Sequence, residues 1–107
     1  MGKKECCVIL TTTDKKETAE LIAKILVEHK LAACVQIDQV QSFFSYEERL
    51  EQTNEFRLMI KAKSDNYKDI EHTIKFNHNY QLPQIIKLDI TAGLPEYLKW
   101  IQCAPSK

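Results

Sequence analysis

The stretch from Cys6 to Ile37, CCVILTTTDKKETAELIAKILVEHKLAACVQI, reads as strand, helix, strand, and this decides the fold. Residues 6–12 form a short apolar, β-branched run of the kind that fills a central strand. Asp14 followed by Glu17 has capping-box spacing, and Ala19, Ile22, Ala23 and Leu26 recur at helical intervals, which predicts a helix over 14–30. Residues 31–37 then supply a second strand, with small side chains where the helix approaches the sheet.

Beyond Ile37 the pattern weakens. From Asp38 to Gln52 only Val40, Phe43, Phe44 and Tyr46 favour strand, and they predict an extension of the strand pair beyond the core. Phe56, Leu58 and Ile60 alternate with Arg57, Met59 and Lys61, giving a third strand with one apolar and one mixed face. Ser64 is placed to cap a second helix carrying Tyr67, Ile70 and Ile74 and ending near Asn77. Residues 78–83 form a loop closed by Pro83, and Ile86, Leu88 and Ile90 mark the fourth strand. Gly93-Leu-Pro95 is a turn that opens a short helix with Leu98, Trp100 and Ile101. The order β-α-β-β-α-β plus a C-terminal helix is an α+β, ferredoxin-like split βαβ arrangement. Right-handed crossovers place the first two helices on one face. The opposite, partly apolar face is then left for other copies of the chain, as Met59 and the aromatic run at 43–46 suggest.

A chain of 107 residues suits one domain spanning 1–107. Fifteen basic residues balance fifteen acidic ones, so no net field gathers nucleic acid. The start, Met1 to Glu5, is unlike a secretory signal, and Cys6 stands where a myristoylation motif wants Ser or Thr. No run approaches the roughly 18 apolar residues of a membrane helix. These readings predict a cytoplasmic protein. Cys6, Cys7, Cys34 and Cys103 form no Cys-x-x-Cys pair and read as reduced, small hydrophobes, with Cys6 and Cys7 pointing to opposite faces of a strand.

With only Gly2 and Gly93, the chain has no Gly-rich phosphate loop, and hydrolase and zinc-protease motifs are absent. Glu47 and Glu48, adjacent on what reads as an extended segment, point apart and suit a solvated, structural role. His29 falls at the end of the first helix, where a cationic ring favours the helix dipole, and His72 on an exposed helical face. His78 is the loop imidazole, open to a metal or to a structural hydrogen bond. Cys34 joins it only if the fold or another subunit brings the two together. Nothing here composes a catalytic set, so the expectation is a protein that assembles and binds and is not an enzyme.

These residues resemble the CutA-type divalent-cation tolerance proteins over roughly residues 8–101. The resemblance runs through Ile22-Ala23, Leu26-Val27-Glu28 and Leu31-Ala-Ala-Cys34-Val35. It continues in Ser42-x-Phe44-x-Tyr46, Ile60-Lys61, His78-x-Tyr80-x-x-Pro83 and Gly93-x-Pro95-Glu96-Tyr97-Leu98-x-Trp100. It implies a ferredoxin-like subunit, a homotrimer and a part in tolerance to copper and other divalent cations. It also implies an intersubunit cleft lined by Lys61, His78 and Tyr80 with Phe44 to Tyr46 nearby, and makes Cys34 and His78 the candidate ligands for a divalent cation such as copper. Departures are Tyr46 for the usual Trp, Glu48 for Gly, Asn79 for Pro, Gln84 for Glu, and Leu10 where some relatives have Cys. An amide at Gln84 is a poorer ligand than a carboxylate, which implies weak or absent intrinsic metal binding. An alternative implied by the same resemblance is a PII-like trimeric sensor holding a small anion in the cleft through Lys61, and a third is a trimer that tethers a partner protein.

Overall fold

The computed structural model describes residues 5–103; residues 1–4, with the start read above for targeting signals, and residues 104–107 lie outside them. Strand β1 (Cys6–Thr13) leads into helix α1 (Lys16–Glu28), and strands β2 (Cys34–Tyr46) and β3 (Arg49–Lys63) follow as one long hairpin. A 3-10 turn at Ser64–Asn66 precedes helix α2 (Tyr67–Asn77), then come strand β4 (Ile86–Asp89) and helix α3 (Pro95–Cys103). The sheet order is β2-β3-β1-β4 with every pairing antiparallel, as expected of a split βαβ fold.

Alternation sorts the strands into two faces. Cys7, Ile9, Leu58, Ile60 and Ala62 pack with Ala19, Ile22 and Leu26 of α1 and Ile70 and Ile74 of α2 into one fully buried cluster. The other face, here called the front, carries Val8, Leu10, Met59, Ile86 and Leu88 at its centre. That face is not wholly bare, as a two-helix reading of the fold had it. Helix α3 lies over one end, where the Cys6 thiol meets the Leu98 carbonyl at 3.5 Å and the Lys61 ammonium meets the Tyr97 hydroxyl at 3.4 Å. Gly93 leaves the room that Leu98 needs, since a Cβ there would come within 3.1 Å of its side chain.

Several local readings need correction. The Asp14–Glu17 capping box does not form: α1 starts at Lys16, and no side chain caps it. Thr13 Oγ1 instead accepts from the Lys15 amide at 3.2 Å, and Asp14 is drawn away to the side-chain amide of Asn79 at 2.9 Å. Ser64 opens the 3-10 turn and does not cap α2, which begins three residues later. Leu31 to Ala33 are not strand. The amides of Lys30 and Leu31 turn back to the carbonyls of Val27 and Leu26, a Schellman wrap centred on Lys30 at φ 63°, with His29 as the C-cap residue. A left-handed lysine is unfavourable by about 1 kcal/mol relative to glycine. Lys30→Gly is accordingly expected to raise the stability of the chain by about that amount in urea unfolding.

Glu47 and Glu48 are the two turn residues of the β2–β3 hairpin, not part of an extended segment, with φ of 52° and 65° and Tyr46 paired to Arg49 across them. Two consecutive left-handed residues define the tight turn whose twist matches a hairpin, usually supplied by Asn-Gly. The extension foreseen beyond the core is thus an arm of paired strand, which contributes to a longest dimension of 45 Å against 28 and 21 Å across.

Candidate functional site

Of the residues proposed for a cleft, Lys61, Phe44 and Tyr46 lie on the front of the sheet by alternation and Tyr80 reaches Glu55 on that face. His78 instead bonds the Thr12 carbonyl at the end of β1, and the proposed residues do not all meet within one chain. Cys34 pairs directly with Lys61 at the α3 end, Glu55 pairs with Val40 further along β3, and Phe44 and Tyr46 face Glu51 and Arg49 on the arm. Along β3 the line from Lys61 to Arg49 spans about 40 Å at the rise of a strand. At its α3 end the Lys61 ammonium sits 5.4 Å from the Tyr97 ring centroid, and Tyr97 stacks on Trp100 at 5.5 Å. Between the ends, Arg57 holds Asp38 through two bonds of 3.2 and 2.8 Å, and this pairing keeps the Asp38 carboxyl below the usual carboxylate range.

The best-built polar site is where the loop after α2 meets the end of β1 and Glu55 of β3. Glu55 is only 8% exposed. Its carboxylate accepts from the Ser42 hydroxyl and from the Tyr80 hydroxyl, each at 2.6 Å, so a buried charge on the mixed face is satisfied by β2 and by the loop together. His78 and Tyr80 lie side by side, ring centroids 4.9 Å apart. The imidazole bonds at Nε2 to the Thr12 carbonyl at 2.8 Å and accepts at Nδ1 from the Tyr80 amide at 3.0 Å. Asn79, a departure from the resembled motif, takes the Thr13 hydroxyl hydrogen on its Oδ1 and donates from Nδ2 to Asp14. Glu55 was not singled out from sequence. The one available cue is that it shares the period-two register of Arg57, Met59 and Lys61, the mixed face of β3.

Burial first, and the Glu55 carboxylate second, push the Tyr80 phenol above its ordinary value of 10.0. Burial and Glu71 do the same to Tyr67. The folded chain therefore keeps protons that the unfolded chain releases above pH 10 or so; their stabilisation is complete below that pH and is lost as pH rises beyond it. Tyr80→Phe is expected to cost about 1–2 kcal/mol at neutral pH. It should also make the alkaline decline shallower in urea midpoints measured across pH; an unchanged slope would contradict the assignment.

Among the described residues, no three His, Cys, Asp or Glu side chains gather into a metal-holding group, and no helix is long and apolar enough to cross a membrane.

Residues 7–104 match the model of the CutA1 divalent ion tolerance protein family. The divalent-cation tolerance protein CutA of Archaeoglobus fulgidus is 41% identical over 93 residues, covering 87% of this chain and 91% of the relative. The protein of that name from Thermus thermophilus is 34% identical over 96 residues, 89% of this chain and 93% of its own. The crystal structure of CutA1 from the psychrotrophic bacterium Shewanella sp. SIB1 superposes with a TM-score of 0.88 at 38% identity, covering 94% of each chain. Fold, extent and sequence agree, and the chain belongs to the CutA1 divalent ion tolerance protein family.

Proposed function

We propose that this protein serves tolerance to divalent cations, copper among them, as a cytoplasmic homotrimer with weak or absent metal affinity of its own, and that it acts by assembly and binding and is not an enzyme. The cation role is supported by the names its relatives carry. The observation that carries the assembly is the front of the sheet, where Ile86 and Leu88 remain 45% and 50% exposed beside Val8, Leu10 and Met59. An apolar sheet face of this kind is unfavourable in water, and closed symmetry is the simplest way for identical chains to bury it. The projecting arm favours the same reading, because Phe44 and Tyr46 of one copy could then reach the Lys61 end, or the His78–Tyr80 loop, of the next. Cys6, Cys7 and Cys34 are thiols and form no disulfide, which favours a reducing compartment.

Light scattering of the purified protein at micromolar concentration tests the assembly, with three chain masses expected, each of 12.5 kDa. A single chain mass would remove the trimer and with it the cleft. Calorimetric titration with copper(I) and with copper(II) tests the metal clause. Weak, unsaturated heat or none is expected, and tight stoichiometric binding would overturn it.

A further inference from the structure

Three consecutive loop residues each fasten to a different part of the fold. His78 reaches the end of β1 at Thr12, Asn79 bridges Thr13 and Asp14 at the entry to α1, and Tyr80 reaches Glu55 of β3, which Ser42 of β2 also holds. We infer that these residues form a clasp joining the loop to both halves of the fold, and that in this chain His78 is a positioning residue of that clasp and not a ligand for a divalent cation. The chemistry of the two ring nitrogens carries the inference. A backbone amide can only donate, so Nδ1, which takes the Tyr80 N–H, has its lone pair engaged. A carbonyl can only accept, so Nε2, which faces the Thr12 oxygen, carries the ring hydrogen and has no lone pair to offer. A cation at either nitrogen would have to break one of these bonds. The other soft candidate does not help, because Cys34 sits across from Lys61 whereas Thr12 sits across from Arg57, about 13 Å away along β3 alone. At position 84 the chain offers a neutral amide. The residues present therefore do not fit a cation centred on His78, whatever route the protein takes to cation tolerance.

Long-range nitrogen–proton NMR of the full chain, labelled at histidine and held in mildly alkaline buffer, reads the assignment directly. His78 is expected to show a bare Nδ1 and a protonated Nε2. One equivalent of zinc(II) per chain should leave both signals in place, while the exposed rings of His29 and His72 report any surface binding. An Nδ1–H tautomer, or His78 signals that move or broaden before those of the other two rings, would overturn the inference. In His78→Ala the Tyr80 amide should exchange with solvent about three- to tenfold faster, the loss of one hydrogen bond. Unchanged exchange there would contradict the clasp even with the tautomer as expected. Neither outcome depends on the trimer or on the copper titration, so the inference and the proposed function can fail separately.

Discussion

Leu88→Lys is expected to break the assembled protein into single chains while leaving each chain folded. In one chain the Leu88 side chain is half exposed on β4, an edge strand, and a substitution at such a site changes stability by no more than about 0.5 kcal/mol. In an assembly that closes the front face the same position is buried, and symmetry places the new ammonium there once per copy. An uncompensated buried charge costs several kcal/mol, and that cost falls on association at every copy. Light scattering should then fall to one chain mass of 12.5 kDa, with the circular dichroism of the native fold retained. Phe76→Lys is the control: Phe76 is 81% exposed on α2, behind the sheet, and its replacement should leave the mass unchanged. Three chain masses in Leu88→Lys would show that copies do not meet across the front.

Helical and strand periodicity sorts the residues of each element onto two sides, but the sequence alone did not say that the Ile86 and Leu88 side of β4 is the front. The same periodicity found α1, α2 and the cores of β1 and β3. It failed where backbone geometry departs from what composition suggests. Leu31-Ala-Ala reads as strand by its apolar content, yet the left-handed turn at Lys30 wraps those residues back on α1. The arm was seen only as a tendency, since both of its faces meet solvent and Asp38 to Gln52 has no apolar alternation to show. Its turn was hidden altogether because Glu47-Glu48 holds a conformation that Asn-Gly would announce.

Of the candidate site, the residues were legible and their distribution was not. Lys61, His78, Tyr80, Phe44 and Tyr46 could be named from motifs, but no local rule says that β3 runs through a further dozen residues between Lys61 and the arm tip, setting them far apart in one chain. Glu55 escaped for a different reason. A single carboxylate among the polar and charged residues of the mixed face of β3 carries little signal, and it is Ser42 and Tyr80 together that make it a buried acceptor. Asp14 shows the converse, a sequence motif undone by a partner 65 residues away.

Ile60→Ala is expected to cost about 3–4 kcal/mol, near the upper part of the range for truncating a buried isoleucine. Ile60 is fully buried on β3, an inner strand, with Ile9 of β1 on one side and Val35 of β2 on the other. Ile22, Leu26, Ile70 and Ile74 complete the cluster from the two helices. A strand bonded along both edges cannot shift to fill the space left behind, so the void persists and adds to the lost burial. For a domain of this size the melting temperature should fall by roughly 15 °C or more. In the assembled protein part of that loss is hidden, because association draws the folded chain onward and makes stability depend on concentration. The substitution is therefore best read in the Leu88→Lys background, by urea unfolding, where only the single chain contributes. There Ile60→Ala should show its full effect, and Val35→Ala, at the partly buried edge of the same cluster, a smaller one. Equal effects at the two positions would mean that the core is centred elsewhere than between β1 and β3.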